Sequence, residues 1–233
     1  FFFKQKTAYE IPKRDWSSDV CSSDLPPSVP DLLPYRTLVW LDYRLAAVFA
    51  IGLPLVLLIW AAIRQERALL RLLGIFWKVA SLLLITVLLL TDNRPLGYGL
   101  ALLAQLLVVA SVWFWVDLNE ELADLPPWRP LPFAVRSWRW GLTAYGLLGA
   151  ALSASALDCL RGGVTRAICR VWLEAPDDLH GGVAGFFDFV FGGRWTAAIA
   201  AFVGYVALVA YGVGLVQWLL VRLPKQGRVA GGF

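Results

Sequence analysis

The chain has 233 residues, of which 59% are hydrophobic and 16% are charged, and its formal net charge is +4. A mean hydropathy of +0.64 is typical of a membrane protein and excludes an ordinary soluble domain. The positive charge does not indicate a nucleic-acid-binding protein, because such proteins gather Lys and Arg on one face or stripe. Here the basic residues stand in small groups between long apolar runs, so we expect no nucleic-acid partner.

The first 25 residues, FFFKQKTAYEIPKRDWSSDVCSSDL, differ from everything that follows them. They lack the order of a signal peptide, in which basic residues precede an apolar core of about 7–15 residues. The strings KQKTAYE and RDWSSDVCSSDL instead resemble the translated constant parts of a sequencing-library adapter, and the alternative is a natural tail. We therefore expect residues 1–25 to be non-native and residues 26–233 to form a single membrane domain.

Five stretches are long and apolar enough to predict membrane spans. A spanning helix needs about 20 mostly apolar residues, because the hydrocarbon core is about 30 Å thick and each residue rises about 1.5 Å. The sequence therefore predicts an all-α, polytopic membrane protein in which Pro54 kinks the first span and Lys78 reaches the headgroups from the second. The predicted spans cover residues 45–63, 72–90, 96–116, 138–157 and 195–221.

Five spans place the two termini on opposite sides of the membrane. Cytoplasmic segments carry an excess of Lys and Arg. Without residues 1–25, the side that holds residues 64–71, 117–137 and the C-terminal tail has ten such residues, and the other side has seven. This count predicts an outside N-terminus, a cytoplasmic C-terminus and an exoplasmic loop over residues 158–194, with a short amphipathic helix around Phe186–Phe191.

The exoplasmic loop contains two cysteines, Cys159 and Cys169. Disulfide bonds persist in extracellular compartments, and a bond that closes so short a loop contributes roughly 3 kcal/mol. A disulfide bond between them is one interpretation; the alternatives are two unpaired thiols, or thiols buried against a helix end.

The sequence lacks the common catalytic and cofactor motifs. His180 is the only histidine, so an HExxH site and a histidine-based metal cluster are excluded. No GxxxxGK[ST] loop and no GxSxG serine occur. We therefore expect no metal, no cofactor and no enzymatic activity.

The most distinctive polar stretch is WFWVDLNEELADLP at residues 113–126. Four of its acidic residues recur at i, i+3, i+4 and i+7, a spacing that places them on one helical face. We expect these acids to form ion pairs or to face a partner; cation binding through oxygen ligands and proton transfer are the alternatives. The candidate cluster comprises Asp117, Asn119, Glu120, Glu121 and Asp124, with Arg136 and Arg139 nearby.

Small residues recur at four-residue spacing in the last two predicted spans. Such faces let helices approach closely, and we expect a packing role rather than ligand binding. Apart from Lys78, Gln105 and Gln217, the predicted spans contain few polar candidates, which counts against an ion-coupled transporter. The expected packing residues are Gly146, Ala150, Ala154, Ala200 and Gly204.

Several short motifs, in order along residues 26–233, resemble a family of cyanobacterial integral membrane proteins of unknown function. The resemblance implies a multi-pass protein of a cyanobacterial plasma or thylakoid membrane, and it assigns no activity and no catalytic residues. The motifs are VWLDYRLA (39–46), PLVLLIWA (54–61), WKVASLLLIT (77–86), WFWVDLNEE (113–121), SWRW (137–140), CRVWLEAP (169–176) and KQGR (225–228).

Two functions fit these observations. The first is a non-enzymatic accessory or assembly factor of a larger membrane complex, because spans poor in ionisable groups lie between well-marked polar edges. The second is a small oligomeric transporter or channel, with the acidic cluster as its cytoplasmic vestibule. The expected partners are the lipid bilayer and either a larger membrane protein complex or further copies of the chain.

Overall fold

A computed structural model describes residues 29–126, 128–162 and 166–230; the suspected adapter segment, residues 1–25, lies outside them. Every regular element in the described residues is a helix, which confirms the predicted all-α, polytopic class. The elements are α1 (Val29–Ala46), a π-helical turn (Ala47–Gly52), α2 (Leu53–Arg64), α3 (Arg67–Thr91), α4 (Leu96–Trp113), α5 (Val116–Asp124), α6 (Pro130–Ser155), α7 (Cys159–Gly162), α8 (Ala167–Phe191), α9 (Ala197–Gln217), a second π-helical turn (Trp218–Arg222) and α10 (Leu223–Gln226).

Among the described residues, four helical segments are long and apolar enough to cross a membrane, and they overlap four of the five predicted spans. The remaining prediction, residues 138–157, falls in α6, which is 26 residues long but less apolar. Much of α6 packs against α1, α2 and α4, and a helix that faces other helices needs less apolar surface than one that faces lipid. The four segments are Leu33–Arg64, Arg67–Thr91, Leu96–Trp113 and Ala197–Lys225.

The helices define two ends of the bundle. The end that holds α5 and α10 is called the α5 face, and the end that holds α7 and the start of α8 is called the α8 face. A core cluster around Phe76, Trp138 and Leu142 fills the bundle toward the α5 face. A second cluster around Tyr98 and Trp172 packs α8 onto the rest of the bundle.

Pro54 shapes the first membrane segment. Proline has no N–H, and its ring pushes on the preceding turn. The backbone accommodates it through the π-helical turn Ala47–Gly52, whose hydrogen bonds reach five residues back. In that register Phe49 O would meet the nitrogen of Pro54, which has no hydrogen to donate. Trp138 Nε1 of α6 donates to Phe49 O instead, at 2.9 Å.

The segment 158–194, predicted to be a loop with a short helix around Phe186–Phe191, is mostly helical. It contains α7 and the 25-residue helix α8, which continues through Pro176. Because Pro176 has no N–H, Trp172 O loses its helical donor. Tyr43 OH of α1 donates to Trp172 O at 3.0 Å, so a contact from a distant helix replaces the missing bond.

Glycine permits two of the closest helix contacts. A Cβ on Gly146 would overlap a valine side chain of α4, and a Cβ on Gly204 would lie 3.2 Å from two leucine side chains of α3. Ala150 and Ala200 are 6% and 0% exposed, whereas Ala154 is exposed. The small-residue stripes therefore lie in helix contacts except at Ala154, which is at the end of α6 beyond the close approach.

Replacement of Trp138 by Phe should destabilise the detergent-solubilised protein by about 1–3 kcal/mol, because it leaves the partly buried Phe49 O without a donor. Thermal or denaturant unfolding measures this change. Trp140→Phe is the matched control, because Trp140 is 67% exposed, and it should change stability by less than about 0.5 kcal/mol. Equal effects of the two substitutions would contradict the role of the Trp138 hydrogen bond.

Candidate functional site

Helix α5 carries the predicted acidic cluster, and its carboxylates have separate partners. Asp117 accepts a hydrogen bond from the backbone N–H of Ala230 at 2.9 Å. Glu121 pairs with Arg71 of α3 at 2.5 Å. Within the described residues, no group of three or more His, Cys, Asp or Glu side chains is placed to hold a metal ion. The exposed members of the cluster are Glu120 and Asp124.

The two arginines beside α5 bind backbone carbonyls rather than the acidic side chains. Arg136 donates to three carbonyls at the end of α5, at 2.7, 3.3 and 3.1 Å, where a helix has carbonyls without an internal partner. Arg139 is 5% exposed and donates to Val112 O at the end of α4 and to Asn119 of α5. These contacts hold α5 against α3, α4 and α6. Most residues of the predicted acidic cluster therefore stabilise the packing of α5.

A second polar cluster lies inside the bundle, where the sequence predicts little ionisable chemistry. Asp42 of α1 is 9% exposed and Gln105 of α4 is 3% exposed. Gln105 Nε2 donates to Tyr145 OH of α6 at 2.9 Å. Gly149 follows Tyr145 by one turn, and a Cβ there would lie 2.6 Å from both Asp42 Oδ1 and Gln105 Nε2. We call Asp42, Gln105, Tyr145 and Gly149 the Asp42 cluster.

Two buried oxygens near the Asp42 cluster have no hydrogen-bond partner among the described residues. They are Gln105 Oε1 and Ser153 Oγ, and Ser153 follows Gly149 by one turn on the same side of α6. A buried acceptor without a donor costs about 1–3 kcal/mol. An ionisable residue within a membrane domain marks a functional site, so the Asp42 cluster is a candidate site for a proton or a small cation. The sequence indicates Gln105 but not Asp42, because the predicted first span begins at residue 45, after Asp42.

The first half of α8 is fastened to the rest of the protein. A disulfide bond joins Cys159 of α7 to Cys169 of α8, whose Cα atoms are 5.8 Å apart. Tyr98 OH of α4 donates to Cys169 O at 3.0 Å. The two predicted cysteines therefore lie together, and they tie the start of α8 to the α8 face.

Glu174 connects α8 to α1. Trp40 Nε1 and Arg36 Nε both donate to its Oε2 atom, at 2.9 and 2.7 Å. Burial alone would raise the pKa of Glu174, but these two hydrogen bonds and the charge of Arg36 outweigh burial and lower its pKa below the usual range of a glutamate. The carboxylate is therefore charged at neutral pH. Since both partners are partly exposed, the ion pair chiefly fixes geometry and contributes little net stability.

The second half of α8, residues 177–191, projects from the body, and we call it the α8 tip. Phe186, Phe189 and Phe191 are 66%, 89% and 68% exposed. The same residues include three aspartates and neither Lys nor Arg. An apolar surface of this kind marks an interaction site.

Replacement of Gly149 by Ala tests how tightly the Asp42 cluster is packed. The added Cβ meets Asp42 and Gln105, so we expect a loss of about 1–3 kcal/mol in the free energy of unfolding. The control is Gly74→Ala in α3, where a Cβ meets nothing within 4 Å and where Ala should stabilise the helix by up to about 1 kcal/mol. Equal unfolding midpoints for the two variants in detergent would show that the cluster is loosely packed.

Comparison with known proteins places most of the described bundle in one family. No curated protein and no solved structure matches the chain. A family described as "Protein of unknown function (DUF3177)" matches residues 36–231. This range includes the Asp42 cluster, α5, the disulfide bond and the α8 tip. The chain belongs to the DUF3177 family of proteins of unknown function.

Proposed function

We propose that this protein is a non-enzymatic accessory or assembly factor of a larger membrane complex, and that the α8 tip is the surface that contacts the partner. The observation that carries the proposal is the exposed apolar surface of the tip, with Phe186, Phe189 and Phe191 at its centre. The alternative environments for such a surface are lipid and protein, and charge distinguishes them.

The charge of the α8 tip favours a protein partner over a lipid surface. Amphipathic helices that lie on membranes are rich in Lys and Arg, which attract anionic headgroups. The tip has three aspartates and neither Lys nor Arg, so an anionic bilayer surface would repel it. A complementary partner surface is apolar at its centre and carries Lys or Arg at its rim.

The base of α8 fixes where the tip lies. The disulfide bond, the Tyr98 hydrogen bond and the Glu174 contacts all hold residues 169–174. From Cys169 to Phe189 an α-helix rises about 30 Å, so the tip stands at a set distance from its anchor. A preorganised surface loses less conformational entropy on binding than a mobile loop does.

The arrangement of charge and cysteine supports an orientation for this contact. The α5 face holds Arg64, Arg71 and Arg136, which fits the cytoplasmic side by the positive-inside rule. The disulfide bond at the opposite end fits an oxidising compartment. We place the α8 tip on the outer side of a cyanobacterial plasma or thylakoid membrane, with the C-terminus in the cytoplasm.

The test is a native gel of the tagged, full membrane domain extracted from a cyanobacterium in mild detergent, with mass spectrometry of the bands. We expect the wild-type protein to co-migrate with a larger membrane complex, and Phe186→Ala combined with Phe189→Ala to lose most of that co-migration while the protein still accumulates. The reason is that the substitution removes the apolar centre of the tip. Phe202→Ala is the control, because Phe202 is 69% exposed on the apolar helix α9.

Migration of the wild-type protein alone, or as a small homo-oligomer, would reject the accessory function. If the double variant co-migrates with the complex as the wild-type protein does, the protein has a partner but the α8 tip is not the surface that contacts it. If Phe202→Ala loses as much co-migration as the double variant does, removal of any exposed phenylalanine weakens the complex. That result would contradict a specific contact at the α8 tip.

The Asp42 cluster favours a second candidate function, a small transporter for a proton or a monovalent cation. Asp42 is a carboxylate inside the membrane domain, and Gln105 and Tyr145 lie beside it as polar neighbours. The acidic vestibule expected from the sequence receives less support, because Asp117 and Glu121 are engaged in structural contacts.

Asp42→Asn tests the transporter function, since Asn keeps the shape of the side chain and removes its charge. In proteoliposomes that contain a pH indicator or a sodium indicator, we expect the wild-type protein to dissipate an imposed pH or sodium gradient, respectively, and Asp42→Asn to slow this at least tenfold. Asp92→Asn, at the exposed turn after α3 where Asp92 pairs with Arg94, should leave the rate unchanged. A wild-type rate equal to that of empty vesicles would exclude the transporter.

A further inference from the structure

A cavity of about 640 Å³ lies between α3, α4 and the C-terminal half of α9, near the α5 face. This volume is in the range of sites that hold small molecules, about 300–1,000 Å³. Most of its wall is apolar or aromatic, and two basic residues, Lys78 and Arg222, also line it. The cavity is separate from both the Asp42 cluster and the α8 tip.

The two ends of the cavity differ in chemistry. At the inner end, Leu107 and Tyr211 pack against the apolar core that joins α3 and α4. At the outer end, the rings of Phe114, Trp115 and Trp218 pack edge to face, with centroids 5.3–5.8 Å apart. Tryptophan is enriched at the level of the lipid headgroups. The cavity thus runs from the membrane interior to the headgroup level.

We infer that this cavity binds a membrane lipid with an anionic headgroup. The headgroup lies by Lys78 and Arg222, and an acyl chain extends toward Leu107 and Tyr211. Charge complementarity supports this occupant, because basic pockets between transmembrane helices bind anionic headgroups and Arg and Lys form charge-assisted hydrogen bonds with phosphate oxygens. The long apolar wall fits an acyl chain and does not fit a hydrated, freely soluble anion.

The position of the cavity gives a lipid access from the bilayer. Helices α4 and α9 each pack on α3, and the cavity lies between them. The α9 wall has Gly214 at its surface, and a Cβ there would meet nothing within 4 Å. Exposed apolar residues on the same helix, Val213 and Val216, continue this wall toward the lipid.

Native mass spectrometry of the full chain tests the charge requirement. The protein is released from mixed micelles that contain equal amounts of phosphatidylglycerol and phosphatidylcholine. We expect one retained phosphatidylglycerol per chain, and at least a tenfold loss of it in Lys78→Gln combined with Arg222→Gln. The control pair is Arg64→Gln with Lys225→Gln, which removes the same two residue types at exposed positions of the α5 face outside the cavity.

A second pair of variants tests the cavity without changing any charge. Gly214→Leu places a side chain in the open cavity, whereas Gly212→Leu adds the same side chain on the same helix outside it; neither added Cβ meets an atom within 4 Å. We expect Gly214→Leu to lose the retained lipid at least tenfold and Gly212→Leu to keep it. Unfolding midpoints of the two variants establish that both are folded.

Three results would overturn the inference. The first is equal retention of phosphatidylglycerol and phosphatidylcholine by the wild-type protein. The second is equal loss in the cavity and control charge pairs, which would indicate a general surface attraction. The third is displacement of the retained lipid by inorganic phosphate, which would identify a phosphate site rather than a lipid site.

Discussion

The structure depends on the pairing of backbone carbonyls that its prolines leave without donors. In a bilayer or in a packed protein interior no water is present to satisfy such a carbonyl, so another part of the protein must supply the hydrogen. Phe49 O receives it from Trp138 and Trp172 O receives it from Tyr43. Both donors belong to other helices. Each bond therefore satisfies a carbonyl that a proline leaves without a donor, and it also holds two helices in a fixed register.

The Asp42 cluster is positioned by the first of these bonds. Trp138 fixes α6 against the π-helical turn of the first membrane segment, and Phe49 stacks on Tyr145 with the ring centroids 6.3 Å apart. Tyr145 and Gly149 follow Trp138 by two and three turns of α6, which brings them level with Asp42 and Gln105. A proline at residue 54 and a glycine at residue 149 thus determine together where a carboxylate lies inside the membrane domain.

The sequence predicts the helices that face lipid better than it predicts α6 and α8. Residues 72–90 form a long apolar run with one charged residue, Lys78, and α3 covers them because hydropathy alone identifies such a helix. For α8, Pro176 indicates a break, and the hydrogen bond from Tyr43 that permits the helix to continue joins residues far apart in the chain. The sequence does not predict that Asp42 lies inside the membrane domain, for a related reason. A charged residue ends an apolar run in the sequence, although the helix that contains it continues. The acidic spacing in α5 predicts a shared face, but it does not predict that Ala230 binds Asp117.

The two ends of the protein use their polar residues differently, and this difference separates the proposed contacts. At the α5 face, Arg136 and Arg139 are bound to carbonyls of the same chain. The proposed lipid site at this face is therefore the cavity lined by Lys78. At the α8 face, the polar groups of Glu174 and its partners hold the base of a helix whose outer half is apolar. A lipid in the cavity contacts α3, α4 and α9, whereas a partner on the α8 tip contacts residues beyond the disulfide anchor. Because the two sites share no side chain, loss of the lipid and loss of the partner are separable by substitution.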